Sequence, residues 1–315
     1  MNYNHDMKIK IIFPEEFFTK AQLQKLKKYE VEFIPGNEID LEKIESLFSS
    51  DSYILIVNPT YLKDNWNAFP VERVQRMKGL KALCLTTSSF SWIDTNKLAE
   101  MGIIVTNIPG APTEVVAEFN IFMMFSLLRK LPLIVKNNWN MDYNNFLNNE
   151  AVGLTAGILG LGRIGTRVGE LCRGLNINVC YWNRSKKESA FKKVTLEQLF
   201  QESDIVFNTL ATPPELKGFI NRDLLSKLKR DSIIISTSDT QVFDEAYIID
   251  KVSKGELGGY AFESKDKKMT DFHGNVMVFP EQAYYTLGTQ TNRASIAAET
   301  ALSIIEDKPI IYKVN

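Results

Sequence analysis

The chain alternates short apolar runs with stretches in which apolar residues recur every three or four positions, the pattern of buried strands separated by amphipathic helices. Residues 8–13 and 53–57 are predicted strands, with helical segments at 17–29 and 41–49 between them. Residues 82–85 form a third predicted strand, followed by a helix about 95–101 and a strand 103–106. Pro109, Gly110 and Pro112 interrupt this pattern. Residues 113–130 then form a long apolar helix, with Thr113 as the expected N-cap and Glu114 in its first turn. Its Phe119, Phe122, Met123 and Met124 suit core or subunit interface better than a ligand site. The asparagine-rich stretch 137–150 is expected to be a loop.

From Thr155 a second series of strands is predicted at 157–159, 179–182, 205–209, 233–237, 259–262 and 276–279, with helices between them. The fold class is therefore α/β, with parallel sheets covered on both faces and a doubly wound Rossmann sheet in the second half. A last helix, about 293–305, lies beyond that count and is expected to return to the first domain. The 315 residues suggest about two domains.

Composition narrows the function classes. With 44% hydrophobic and 24% charged residues the chain can build ordinary globular cores. Its 37 basic and 38 acidic residues create no global field for nucleic acid or an anionic membrane, so neither is an expected partner. Cys84, Cys172 and Cys180 lack metal-ligand spacing and read as reduced core thiols, and no metal is expected. The polar first ten residues and the lack of any run near ~18 apolar residues point to the cytoplasm.

Gly160-Leu161-Gly162-Arg163-Ile164-Gly165 follows a predicted strand and opens a predicted helix, 163–175. In that context the motif is a dinucleotide-binding fingerprint: the first glycine makes the tight turn, the second admits the pyrophosphate, the third packs helix on strand. The helix amides and dipole then hold the anion. About 20 residues on, where a carboxylate would bind the adenosine ribose, the strand ends Trp182-Asn183-Arg184-Ser185-Lys186-Lys187. Without a carboxylate, Arg184, Ser185 and Lys186 can hold a 2′-phosphate, so NADP(H) is the expected cofactor, with NAD(H) possible. The plainer reading of this stretch is a solvated basic turn.

From about Leu80 to Pro280 the chain resembles the D-2-hydroxyacid dehydrogenases. The resemblance rests on Ile103-Ile104-Val105-Thr106-Asn107-Ile108-Pro109-Gly110, on Thr113-Glu114-Val115-Val116-Ala117-Glu118, on the loop Thr212-Pro213-Pro214-Glu215-Leu216-Lys217-Gly218-Phe219-Ile220 and on Asp244-Glu245-Ala246. It implies a flavodoxin-like substrate domain at 1–106, completed by the C-terminal helix about 289–315, and a dinucleotide-binding domain at 107–288. It further implies a homodimer formed through the cofactor domain, a small-molecule substrate, and cofactor contacts from the strand-end residues Thr209, Leu210, Thr237, Ser238 and Glu263.

In that family an arginine binds the substrate, a histidine transfers the proton and a glutamate tunes the histidine. The matching positions here are Asp239, five residues before Asp244, Glu281 after Pro280, and Lys268, five residues beyond Glu263. Asp266 is close enough to substitute if that loop shifts. The only histidines are His5 and His273, the latter expected in a surface turn. Where the family has a glycine-rich turn the chain reads Thr86-Thr87-Ser88-Ser89-Phe90-Ser91-Trp92. Ser88 and Ser89 could donate to an anion, while Phe90 and Trp92 fit packing equally well. Tyr284 replaces a family glycine and should narrow the cleft.

Losing a positioned proton donor costs ~10²–10⁴ in rate. Replacing arginine by aspartate turns an attraction of about 4 kcal/mol into a similar repulsion, for charges ~4 Å apart at an effective dielectric near 20. Ordinary 2-keto acid reduction is therefore not expected. The leading expectation is an NAD(P)-dependent oxidoreductase with a rebuilt site for an unusual substrate, an amine, an imine or another non-standard acceptor. If Asp239 and Glu281 face the nicotinamide, the favoured ligand carries positive charge beside the reacting carbon, whereas the plainer reading makes these residues surface ion pairs in a disused cleft. The alternative is a catalytically inactive NAD(P)-binding structural or regulatory protein. A third reading keeps the parent activity, with Tyr284 or Asp266 standing in.

Overall fold

The computed structural model describes residues 7–211 and 216–315. His5 and residues 212–215 of the family-like loop lie outside them. The chain divides into two compact units, residues 1–111 with 285–315, and residues 112–284. No helix among the described residues is long and apolar enough to cross a membrane.

The first unit is a parallel sheet of β1 (Lys8–Ile12), β2 (Val31–Phe33), β3 (Tyr53–Val57), β4 (Leu80–Leu85) and β5 (Ile104–Thr106) in the order β2-β1-β3-β4-β5. Strand side chains alternate between faces. Tyr53, Leu55 and Val57 therefore enter one core with Leu83, Leu85 and Val105, while Ile54 and Ile56 enter another with Ile9, Ile11 and Cys84. The second face is covered by α1 (Lys20–Leu26) and by the C-terminal helix Leu287–Ile305, whose Ala294, Ala297, Ala298 and Ala301 let its backbone come close to the strands. Full burial of a leucine or isoleucine here is worth about 1.5–3 kcal/mol.

Several elements differ from the sequence reading. Helix α1 is short and starts at a capping box in which Thr19 and Gln22 satisfy each other's backbone amides. Residues 41–49 form two 3₁₀ turns, Leu41–Lys43 and Glu45–Phe48, instead of one helix. Strand β2 and the helix α2 (Val71–Arg76) have no counterpart in the prediction, because three and six residues hold too little periodicity to register.

The second unit begins with α4 (Thr113–Leu128), which follows the short α3 (Thr95–Glu100) of the first. Thr113 is the first helical residue of α4, not its N-cap: Pro112 occupies that position and makes no side-chain cap. After α5 (Leu131–Lys136) come β6 (Thr155–Leu159), α6 (Arg163–Gly174), β7 (Asn178–Trp182) and the two-residue edge strand β8 (Lys192–Lys193). The rest comprises α7 (Leu196–Glu202), β9 (Ile205–Asn208), α8 (Arg222–Leu225), β10 (Ile233–Ser236), α9 (Glu245–Ser253), β11 (Gly259–Glu263) and β12 (Val276–Phe279); the C-terminal helix of the first unit is α10. The sheet is parallel, in the order β12-β11-β10-β9-β6-β7-β8. The chain runs outward one way from β6 and the other way from β9, so the carboxyl ends of these two strands flank a topological switch point.

Cys84, Cys172 and Cys180 are free and buried, and burial pushes the first two thiols up to about 12.

Candidate functional site

At the switch point β6 is followed by Gly160, whose φ of +98° is open to few residues but glycine. A Cβ on Gly160 would lie 2.9 Å from the Leu210 side chain, and one on Gly165 only 2.3 Å from the Gly160 carbonyl oxygen and 2.6 Å from Thr209 Oγ1. These two glycines are required by the fold. Gly162 is not: it precedes α6 with extended backbone, and a Cβ there would meet none of the described residues within 4 Å. Its small size matters only to something that approaches the turn from outside. The amides of Arg163 and Ile164 open α6 beside it, and the first turn carries no acidic residue to compete for them. A dinucleotide pyrophosphate fits this cradle.

The neighbouring strand ends are tied to the turn. Thr209 Oγ1 donates to the Gly160 carbonyl at 2.7 Å, and the Leu210 amide donates to Asn208 Oδ1 at 3.4 Å. Asn208 Nδ2 donates to Ser236 Oγ at 2.9 Å, which in turn donates to the Ser238 carbonyl at 2.9 Å. Asn120 of α4, fully buried, donates to Thr237 Oγ1 at 2.9 Å and to the Val116 carbonyl at 2.8 Å. The sequence reading missed Asn120, although a lone asparagine inside an apolar helix is a signal of a buried polar contact.

Beyond β7, Asn183 Nδ2 donates to the Ser185 carbonyl at 3.1 Å and to its hydroxyl at 3.3 Å, which folds the turn on itself. Arg184, Ser185 and Lys186 are exposed, and neither cation takes part in an ion pair among the described residues. Both charges are available to an anion.

The ends of β10 and β11 border a cavity of about 540 Å³. Thr237 and Ser238 line it, as do the carboxylates of Asp239, Glu263, Asp266 and Glu281, Tyr284 and, as the one cation among the described residues, Lys265. Asp239 Oδ1 accepts the Gln241 amide at 2.9 Å and so caps a short turn. Glu263 Oε1 accepts the amides of Gln282 at 2.6 Å and Ala283 at 2.8 Å. Burial raises the Glu263 pKa, those two amides oppose the rise, and the nearby Glu281 charge adds to it.

The cation beside Glu281 differs from the expected one. Lys265 Nζ stands 3.5 Å from Glu281 Oε2, whereas Lys268 does not line the cavity and uses its amide to bond Asp271 Oδ2 at 2.7 Å. The reason is local: Ser264 Oγ accepts the amides of Asp266 and Lys267, coiling the chain so that Lys265 and Asp266 face inward while Lys267 pairs with Glu245. His273 is exposed.

Ser88 and Ser89 belong to the first unit. Ser88 Oγ donates to the Ile108 carbonyl at 3.0 Å, and the Ser89 carbonyl accepts Thr87 Oγ1 at 2.8 Å and Trp92 Nε1 at 3.1 Å. Trp92 packs edge-on against Trp66 and tilted against Phe69, a packing residue.

A pH test follows from Glu263. Its raised folded-state pKa means that its charge costs the native state nothing below the unfolded pKa and the full penalty above the folded one. Glu263→Gln keeps an oxygen acceptor without the charge. We expect a higher melting temperature than the parent at about pH 7.5, with the gain vanishing toward about pH 4. An equal shift at both pH values in thermal melts would contradict this account.

Residues 121–277, about half of the chain, match the D-isomer specific 2-hydroxyacid dehydrogenase, NAD binding domain. D-3-phosphoglycerate dehydrogenase of Bacillus subtilis is 27% identical over 302 residues, covering 90% of this chain but 55% of that protein; the chain thus spans about half the length of this relative. D-2-hydroxyacid dehydrogenase (NAD(+)) of Clostridioides difficile is 28% identical over 305 residues, covering 89% of each. Among solved structures, an acyclic imino acid reductase in complex with NADPH and D-Arg aligns with a TM-score of 0.79 at 25% identity, over 98% of this chain and 100% of that one. The glycine turn at the switch point and these matches together place the chain in the D-isomer-specific 2-hydroxyacid dehydrogenase family.

Proposed function

We propose that the protein is an NADP(H)-dependent oxidoreductase that acts on a cationic carbon–nitrogen substrate, an iminium in the reductive direction or an amine in the oxidative one. The observation that carries this reading is the charge of the cavity at the ends of β10 and β11, where among the described residues four carboxylates face one ammonium. Such a lining attracts cations and repels the carboxylate-bearing keto acids. The acyclic imino acid reductase whose complex holds NADPH and D-Arg supports the same reading.

The chemistry also accounts for the residues at the family's catalytic positions. When bound, the reduced nicotinamide supplies a hydride. A ketone would further need a proton at its oxygen, the task of a positioned acid. An iminium nitrogen already carries its proton, so this chain needs no histidine there. Asp239 and Glu281 then act as anchors: their charges hold the substrate cation and favour its protonated form. Unit two is assigned cofactor binding and unit one the substrate-domain role.

The same reading assigns a homodimer. Phe122, Trp139, Met141, Tyr143, Leu147 and Val152 of the second unit are large, apolar and exposed within a short span of sequence, as a subunit interface requires.

Two results are expected. NADPH should bind more tightly than NADH in fluorescence titrations, by about tenfold or more, because Arg184 and Lys186 are uncommitted cations beside the turn. Arg184→Ala should remove most of that preference; equal affinities in the parent would overturn the assignment. Pyruvate, glyoxylate and 3-phosphohydroxypyruvate should be reduced negligibly with either cofactor, and brisk turnover of any of them by protein free of host dehydrogenases would refute the cationic-substrate reading.

A further inference from the structure

A second cavity, of about 720 Å³, opens in the first unit where β1 and β2 end. Its sheet also has a switch point: the chain passes from β1 to β2 on one side and then to β3 on the other. Open parallel sheets hold ligands at such points, outside the strand carboxyl ends. The walls are aromatic, from Phe13, Phe17, Phe33, Tyr61 and Tyr285. The rings do not form one flat stack. Phe13 lies 5.5 Å from Phe17 at 46° and 5.9 Å from Tyr61 at 84°, so the rings wall a concave space.

Glu15 and Glu16 also line this cavity, and among the described residues no lysine, arginine or histidine does. Both glutamates are exposed, and neither side chain enters an ion pair among the described residues. The combination selects among ligands. An anion would be repelled. A hard metal ion needs several converging oxygens, which aromatic walls do not offer. A neutral apolar ligand has no use for two uncommitted carboxylates. Aromatic faces with carboxylates at the rim suit an organic ammonium ion, whose charge is attracted by the ring quadrupoles and by the glutamates together.

We propose that this cavity binds an organic ammonium ion. The site lies in a different unit from the acidic cavity and does not depend on the oxidoreductase reading. The test is isothermal titration of the full chain with choline and with 3,3-dimethylbutanol, which matches its shape without its charge. Choline should bind at least about tenfold more tightly than the alcohol, and more weakly as salt is added. Phe17→Leu should weaken choline binding about tenfold, and the double substitution Glu15→Gln with Glu16→Gln should weaken it and flatten the salt dependence. The exposed position of both glutamates means that this second variant keeps its fold. Absent binding, equal binding of the two probes, or indifference to both variants would each overturn the proposal.

Discussion

Gly162→Ala is expected to abolish most NADPH binding while leaving the melting temperature of the free protein nearly unchanged, and Gly165→Ala to damage both. The contrast follows from what a methyl group would touch. At Gly162 it enters a space where it meets none of the described residues, and the backbone conformation is one that alanine accepts. That space is where a pyrophosphate must approach the amides of α6, and a methyl group there holds it off by more than a hydrogen bond tolerates. We expect a loss of about 10²-fold or more in affinity, on the scale of two or more charge-assisted hydrogen bonds. At Gly165 the methyl group would lie 2.3 Å from the Gly160 carbonyl oxygen, and only movement of α6 away from β6 relieves the clash. Overpacking of this kind costs about 1–3 kcal/mol. Titration with NADPH and thermal melts of the two variants separate these effects. A Gly162→Ala protein that binds NADPH as tightly as the parent would show that the dinucleotide does not use this turn.

Asp239→Asn and Glu281→Gln are each expected to lower kcat/KM for a cationic imine or amine by about 10- to 100-fold without lowering stability. Asp239 caps the turn Thr240–Val242 through Oδ1, and asparagine caps as well as aspartate, so the substitution removes charge and keeps structure. A full ion pair at ~4 Å and an effective dielectric near 20 is worth about 4 kcal/mol, and solvent at this exposed residue reduces it, hence the smaller expected factor. Glu281 shares its charge with Lys265, so Glu281→Gln frees that lysine to repel the substrate and should have the larger effect of the two. If the carboxylates were only surface ion pairs, each would be worth ~0–1 kcal/mol to stability and nothing to turnover. Steady-state kinetics and melting curves on the same preparations distinguish the cases. Unchanged kinetics in both variants would end the cationic-substrate hypothesis while leaving cofactor binding untouched.

Much of the architecture was legible because its causes are local. Most strands of both sheets announced themselves as apolar runs, since a strand buried on both faces is mostly apolar, and β1 was legible from Ile9, Ile11 and Ile12 despite Lys8 and Lys10. The glycine turn could be located to the residue, because a φ of +98° at Gly160 and the clash at Gly165 leave glycine as the practical choice. That no carboxylate follows β7 at Asn183-Arg184-Ser185 was equally visible, since these residues adjoin one another in the chain. Boundaries and short elements were not: β2, α2 and β8 are too short for periodicity, and Thr113 lost the N-cap to Pro112 by one residue.

What the sequence by itself determined is therefore the α/β sheet class and the glycine turn at Gly160 and Gly165. Tertiary structure alone decided which groups meet. Spacing along the chain put Lys268 opposite Glu281, but the coil around Ser264 presents Lys265 instead, because the amides of Asp266 and Lys267 both turn back to Ser264 Oγ while that of Lys268 bonds Asp271. Glu263 gained its raised pKa, and Thr237 its partner Asn120 from 117 residues away, only through burial and contacts that no local pattern encodes. The four carboxylates come from three separate strand ends and loops, and the aromatic cavity from four. Charge and shape at a site are sums over such distant contributions, and the sequence orders them along a line while the sheet orders them in space.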